Sequence, residues 1–345
     1  MNYPWFDYGW DFGLGPAAWR GGRTTPRWAD AVDGHLRHFQ RLGISVVRWF
    51  VLADGLTYGI DADAPAPDPA APGGWRFDPP PLSHECLEHF DELLGRFAVA
   101  CADGRPSIQL LPVLIDFHFC GPGARPVQTH EPAGPSGAVE DPRWVKQGRA
   151  EAVIDAVKRQ QFLDRVLEPL LRVSGRHGDV IYAWELINEP DWVTGGWHSH
   201  PFARPPVQEA AMRAFIEDGA RRVRQAGFKA TVGFASARSL RKSGIAMDID
   251  QFHHYPGGAR WLNCGEVAPG RPCIIGEFAT TPADVWPDMP LQSQRVLDRL
   301  RLARDLTCPL AIPWSFLARD RHTDWSPEVE RDIETFTGEE PSVER

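Results

Sequence analysis

The stretch YAWELINEPDW, residues 182–192, decides the fold and points to a site. It begins as a buried β-strand, because apolar, β-branched and aromatic residues dominate its first half. The strand stops at Asn188, Glu189 and Pro190, which place an amide and a carboxylic acid directly after it. A surface loop carries such a triplet by chance, whereas an active site needs it, so the ends of the other strands decide between the two.

Similar apolar runs recur along the chain and alternate with segments of helical periodicity. Eight runs are predicted as strands: one near 7–13, then 44–52, 107–117, 179–187, 229–235, 249–255, 271–278 and 308–316. The predicted helices are 27–42, 83–103, 148–174, 206–226, 291–306 and 326–337, with a short, weakly helical segment at 237–247. Apolar strands that alternate with helices are typical of a parallel sheet covered on both faces.

Eight such units predict a closed (β/α)₈ TIM barrel that forms a single domain over residues 1–345. The alternative is an open doubly wound sheet, but no GxGxxG follows the first strand, which argues against its dinucleotide-binding form. Long insertions at 53–82, 119–147 and 190–205 follow the carboxyl ends of predicted strands, where a barrel places its active site.

Composition and charge exclude several classes of function. The 345 residues are 43% hydrophobic and 24% charged, with a net charge of -9 and no long basic run, so nucleic acid is not an expected partner. No apolar stretch approaches ~18 residues, so no membrane span is expected. The N-terminus shows no secretory signal, which predicts a cytoplasmic protein unless a leader was removed. The oligomeric state is left open.

The six cysteines form no CxxC pair, which argues against a zinc ribbon or a thioredoxin-type motif. We expect buried free thiols in a reducing compartment. A short bridge between Cys264 and Cys273 is the alternative if the protein is exported.

Polar, ionisable and aromatic residues that are common in active sites occur at the ends of the predicted strands. If the barrel is right, they all point into one mouth: Arg48, Asp116, His118, Asn188, Glu189, His253, His254, Tyr255, Glu277 and Trp314. We expect Asp116 to be structural, and His254 to point away from the mouth as the neighbour of His253.

Glu189 and Glu277 face each other across this mouth, and paired carboxylates hydrolyse glycosidic bonds. In the retaining route the carboxyls lie ~5–5.5 Å apart; one donates a proton to the leaving oxygen and the other attacks the anomeric carbon. Arg48 and Tyr255 favour the ionised form of Glu277, whereas the nearby Glu277 charge favours the protonated form of Glu189. The Asn188 amide is placed to bond the sugar 2-hydroxyl.

This set of motifs resembles glycoside hydrolase family 5 of clan A, the retaining β-glycosidases on (β/α)₈ barrels. The matching positions, in order along the chain, are Arg48, His118, Asn188-Glu189-Pro190, His253-His254-Tyr255, Glu277 and Trp314. The resemblance implies that Glu189 is the acid/base and Glu277 the nucleophile, oriented by Arg48 and Tyr255. It also implies that His118, His253 and Trp314 line the sugar subsite. Phe278-Ala279 departs from the family, in which Gly is commoner at the second position.

Two tryptophans and two histidines in the 190–205 insertion are further candidates. For each of Trp192 and Trp197, stacking on a sugar and packing within the loop are equally open. His198 and His200 are expected to contact substrate or solvent, because no cluster at metal-ligand spacing accompanies them. We expect neither a metal ion nor another cofactor.

The expected substrate is a β-linked hexose glycan or oligosaccharide. DQFHHYP, residues 250–256, resembles mannan-cleaving members of the family, and cleavage of glucans or glucosides stays equally open. A transglycosylase, or a carbohydrate-binding protein without hydrolytic activity on the same barrel, is the alternative.

Overall fold

The computed structural model describes residues 1–4, 11–12, 28–53, 66–71, 74–102, 107–121, 124–126, 144–146, 148–197, 205–255, 263–281, 295–316 and 322–339. Seven strands of these residues form one parallel sheet and neighbour each other in chain order. They are β1 Val46–Phe50, β2 Gln109–Asp116, β3 Trp184–Asn188, β4 Ala230–Phe234, β5 Asp250–His254, β6 Cys273–Ala279 and β7 Ala311–Trp314.

Helices precede β1 and follow each of the seven strands. They are α1 Trp28–Arg41, α2 His84–Ala102, α3 Glu151–Ile154, α4 Ala156–Phe162, α5 Glu168–Ser174, α6 Glu209–Gln225, α7 Ala237–Ser243, α8 Cys264–Val267, α9 Val296–Asp305 and α10 Pro327–Gly338. In the part of the chain that is described, none of them has the length and apolar character of a membrane span.

The first four residues close the sheet into a barrel by pairing with both of its edges. The amide of Asn2 donates to Pro313 at 3.2 Å, and the amide of Tyr3 donates to Arg48 at 2.9 Å. The predicted (β/α)₈ barrel is therefore confirmed, but residues 1–4 occupy the position assigned to a strand at 7–13. Of that segment only residues 11–12 are described, and they form a bend.

Side chains fill the barrel interior in layers. At the amino-terminal end of the strands lies an apolar layer of Val46, Leu111, Ala183, Ile249, Ile274 and Ile312. Above it, two residues further along β1, β3 and β5, lies a buried polar layer of Asn2, Arg48, Glu185, Thr231 and Gln251. Because buried polar groups must be paired, this layer specifies the register of the strands more strictly than the apolar one.

The predicted helix at 148–174 is divided. Asp155 has an extended backbone and its side chain accepts hydrogen bonds from the amides of Val157 and Lys158, so it caps α4 and separates it from α3. A π-helical turn, Leu163–Leu167, then joins α4 to α5. The insertions also contain short antiparallel pairs, Ala66–Pro67 with Trp75–Arg76 and Ala124–Pro126 with Trp144–Lys146, which the sequence did not indicate.

The expectation of six free thiols is wrong for two cysteines. Cys264 at the start of α8 and Cys308 before β7 form a disulfide, with Cα atoms 5.2 Å apart, whereas Cys273 stays free. The alternative pairing of Cys264 with Cys273 is therefore also wrong. Disulfides are typical of oxidising compartments, so this bond counts against the predicted cytoplasmic location, which stays a prediction.

Gly276→Ala is expected to destabilise the barrel. A Cβ at Gly276 would lie under 3.0 Å from the Gln251 side chain, which is held in the buried polar layer. We expect the free energy of unfolding to fall by ~1–3 kcal/mol, as for other overpacked cores. Urea unfolding measures the change.

Gly34→Ala in α1 is the matched control, because a Cβ there meets nothing within 4 Å. It should raise stability by ~0.5–1 kcal/mol through helix propensity. Equal stabilities for the two variants would contradict the close packing inferred around Gly276.

Candidate active site

Arg48 on β1 lies at the centre of the site and is fully buried. Its Nε and Nη2 donate to the two carboxylate oxygens of Glu185, at 2.7 and 2.6 Å. Its remaining side-chain hydrogen bonds go to Glu277 at 2.6 Å, Asn188 at 2.8 Å and Asn2 at 3.0 Å. All five N–H donors of the guanidinium are thus engaged, and four residues hold it in place, from β3, from β6 and from residues 1–4.

Two β-bulges turn functional side chains into the mouth. On β3, Glu185 pairs with Thr231 and Asn188 pairs with Gly233. An advance of three residues along β3 therefore corresponds to two residues along β4, which leaves one extra residue on β3. On β6 the register shifts between Ile275 and Glu277. An extra residue reverses the alternation of side chains along a strand. Asn188 and Glu277 therefore face the interior.

Glu277 is 5% exposed and is held by two donors. Arg48 Nη1 reaches its Oε1 at 2.6 Å, and the Tyr255 hydroxyl donates to its Oε2 at 2.7 Å. Burial raises the pKa of Glu277 above its ordinary value, while His253, Arg48 and the Tyr255 hydrogen bond act in the opposite direction. The contacts predicted for the ionised carboxylate are present.

Glu189 follows β3 in the left-handed region, with φ 46° and ψ 49°. A non-glycine residue is strained there, and such strain concentrates at functional sites. Its Oε2 accepts from Trp192 Nε1 at 2.8 Å, and its Oε1 lies 2.8 Å from His253 Nδ1.

Burial raises the pKa of Glu189 to about 8, and the charges of Asp191 and Asp116 add to this shift. The sequence predicted the protonated form but attributed it to Glu277. Asp191 lies in the short helix that Glu189 begins, and its side chain is 1% exposed. Among the described residues, no arginine or lysine contacts Glu189 as Arg48 contacts Glu277, so Glu189 is the carboxyl that holds a proton near neutrality.

The two carboxyls and His253 lie close together. One potential metal-ligand atom from each of Glu189, His253 and Glu277 lies within 4.8 Å of the other two. In the described residues this is the one group of three such side chains that is close enough to bind a metal ion. The Arg48 guanidinium already pairs with Glu277 there, which opposes the binding of a second cation. One oxygen of Glu189 thus lies within 4.8 Å of one oxygen of Glu277, which is nearer to the ~5–5.5 Å of retaining pairs than to the ~6.5–9.5 Å of inverting pairs.

A hydrogen-bonded chain leads from Arg48 to the rim of the mouth. Asn188 accepts from Arg48 and donates to Asp116 at 2.8 Å, and Asp116 lies 2.5 Å from Nδ1 of His118. Burial opposes ionisation of Asp116, but the charge and hydrogen bonds of His118 and Asn188 lower its pKa overall. His118 is 29% exposed, and Asn188 keeps one N–H for another acceptor.

The predicted aromatic residues separate into two groups. Trp192 bonds Glu189, and Trp314 packs edge-on against Phe50 at the mouth, with ring centroids 6.5 Å apart. Trp197 is 2% exposed and packs against Phe234, which favours packing over stacking on a sugar, the two alternatives that the sequence left open.

Of the three other histidines that the sequence singled out, the structure describes His254. His254 is 6% exposed, and burial together with Arg299 lowers its pKa to about 4. His198 and His200 lie outside the described residues.

Sequence reasoning missed Asn2, Glu185, Gln251, Asp191 and His322. Glu185 had a signal, because it is the charged residue within the apolar strand that ends in Glu189. His322, whose ring lies 4.8 Å from that of Tyr255, had none, since it follows the last strand without any motif.

Comparisons with protein-family models and with curated proteins find no match. Solved structures are similar to the chain. An endo-1,4-β-mannanase from Eisenia fetida has a TM-score of 0.64 and 16% identity over 98% of this chain and 91% of its own. A β-1,4-D-mannanase from Cryptopygus antarcticus has a TM-score of 0.64 and 16% identity over 99% and 90%. A glycoside hydrolase family 5 mannosidase from Rhizomucor miehei has a TM-score of 0.52 and 13% identity over 98% and 91%. The chain shares the fold of these proteins.

The raised pKa of Glu189 predicts a pH-dependent stability. The protonated form is favoured in the folded chain, so its stabilising contribution is complete below about pH 4.5 and is lost as pH rises through about 8. Stability measured against pH should therefore fall less steeply in this window for Glu189→Gln than for the wild type. ¹³C NMR of labelled glutamate side chains should show one carboxyl that titrates near pH 8.

Asp191→Asn should lower that pKa, because it removes a negative charge while its side-chain oxygen can still accept from the Ala235 amide at 3.0 Å. Asp164→Asn, on a side chain that is 60% exposed, is the control and should leave the titration unchanged. Titration of Glu189 near its ordinary pKa of 4.5 would overturn the assignment of the proton.

Proposed function

We propose that this chain is a retaining β-glycoside hydrolase of the family 5 type that cleaves β-linked mannose polymers or oligosaccharides. One observation carries the proposal: a carboxylate paired with Arg48 and Tyr255 faces a carboxyl with a pKa of about 8, with donor atoms within 4.8 Å. The two environments differ in the direction that acid and nucleophile require.

In the first step, a carboxylate oxygen of Glu277 attacks the anomeric carbon and the glycosidic C–O bond breaks. The leaving oxygen takes the proton of Glu189. Trp192 and His253, one on each oxygen of Glu189, fix the direction of this carboxyl during the transfer. The products are a glycosyl ester on Glu277 and a free alcohol.

In the second step, ionised Glu189 takes a proton from water, whose oxygen attacks the anomeric carbon of the ester. The ester bond breaks and Glu277 is released as a carboxylate. The unused N–H of Asn188 is placed to bond the sugar 2-hydroxyl, a contact that strengthens at the transition state. His118, His253, Tyr255 and Trp314 are proposed to line the same subsite.

The choice of mannose rests on the similarity in fold to the two mannanases and the mannosidase, together with the DQFHHYP motif. A β-glucan is the competing substrate. A transglycosylase would pass through the same ester, and an acceptor sugar would replace water in the second step.

Sugar release from β-mannan, β-glucan, xylan and aryl β-glycosides tests the proposal. We expect release from β-mannan or manno-oligosaccharides, with the β-anomer formed first in the ¹H NMR spectrum because two displacements retain configuration. Products longer than the substrate would instead indicate a transglycosylase. An α-anomer formed first would exclude the retaining mechanism, and no release by folded protein would exclude hydrolysis of these glycans.

Substitution of each glutamate should separate the two roles. Glu277→Ala should reduce turnover to background on every substrate. Glu189→Ala should lose ~10²–10⁴-fold on glycans, whose leaving groups need a proton, and far less on activated aryl glycosides. Glu328→Ala, on a side chain that is 63% exposed, is the control. Equal losses on both substrate types for Glu189→Ala would refute its role as the acid.

A further inference from the structure

Glu185 is a buried carboxylate at the base of the site that the proposed mechanism does not use. It is 0% exposed and lies on β3, in the polar layer beneath the mouth. Both of its oxygens accept from Arg48, and one also accepts from Gln251 Nε2 at 2.9 Å. A buried carboxylate is costly unless it is paired in this way, so its retention here calls for a function.

Glu185 and Glu277 are two carboxylates that share one buried cation, Arg48. The other side-chain hydrogen bonds of Arg48 within the described residues go to Asn2 and Asn188, which are neutral amides. Burial lowers the pKa of His253, so this ring adds no charge near neutrality. Burial alone would favour loss of the Arg48 proton, but the two carboxylates raise its pKa overall.

The charge on Glu277 disappears during the reaction. When its carboxylate oxygen bonds to the anomeric carbon, Glu277 becomes a neutral ester, and the negative charge passes to Glu189, which gives its proton to the departing oxygen. Without Glu185, Arg48 would then be a buried cation that no anion of the described residues contacts, a state that is strongly destabilised. With Glu185 present, the guanidinium keeps a carboxylate that accepts two of its hydrogen bonds throughout the reaction cycle.

We propose that Glu185 is a positioning residue that neutralises Arg48. The guanidinium therefore still has a buried counter-ion when Glu277 becomes a neutral glycosyl ester. This inference rests on the proposed function, because it requires the covalent intermediate. This role differs from a purely structural one because loss of Glu185 is expected to change the rates of ester formation and of ester breakdown in opposite directions. Removal of the Glu185 charge should slow ester formation and hasten ester breakdown, which restores the anion on Glu277.

Trapping with a 2-deoxy-2-fluoro-β-glycosyl fluoride of the released sugar measures the two halves separately. Inactivation reports ester formation, and recovery of activity after removal of the reagent reports ester breakdown. For Glu185→Gln, which keeps the shape of the side chain, we expect inactivation to slow by about tenfold or more and reactivation to accelerate severalfold. Thr231→Val is the control and should keep both wild-type rates, because Thr231 lies in the same buried layer but bonds Gln251 through its hydroxyl and not Arg48.

The outcomes separate this inference from its premise. A wild type that turns over substrate but is never inactivated would overturn the covalent mechanism. A wild type that is inactivated beside a folded Glu185→Gln with the same two rates, or with both rates reduced equally, would overturn the role of Glu185 alone.

If Glu185→Gln does not fold, the double variant Glu185→Gln/Gln251→Glu replaces it, because it returns the carboxylate to the adjacent side chain. Its charge lies farther from Arg48, so slower inactivation and faster reactivation than the wild type are still expected. Wild-type rates for both would refute the proposal.

Discussion

The buried guanidinium of Arg48 is the interaction on which the barrel and its site both depend. It joins Asn2 in the closing segment, Glu185 and Asn188 on β3, and Glu277 on β6. A buried cation is tolerated only when anions and acceptors surround it closely. Closure of the barrel by residues 1–4 and orientation of the proposed nucleophile are therefore coupled, and a change that loosens one is expected to disturb the other.

The sequence predicted the elements of this arrangement but not their connections. Strand-end residues such as Glu189, Glu277 and Tyr255 could be recognised because a barrel gathers the carboxyl ends of its strands into one mouth. The apolar strands between helices were sufficient for the fold, since continuous apolar runs indicate burial on both faces. Local pattern and a known topology thus predict which side chains meet.

What the sequence did not predict depends on contacts between distant segments. Residues 1–4, which close the barrel, have no periodicity of their own, and Asn2 gains its role only between β1 and β7. The bulge at Glu277 and the disulfide between Cys264 and Cys308 likewise follow from three-dimensional proximity. Trp197 carried the same local signal as Trp192, yet one packs into the core and the other bonds Glu189, because the chain turns between them.

The most direct test of the central claim, that Glu277 forms a covalent bond to the sugar, is the identity of the residue that carries a trapped fluoroglycosyl group. Protein inactivated by the 2-deoxy-2-fluoro-β-glycosyl fluoride would be digested and sequenced by mass spectrometry. The mechanism predicts one glycosyl group per chain, in ester linkage to Glu277 within residues 273–279. A label on Glu189, on Glu185 or on any other residue would contradict it.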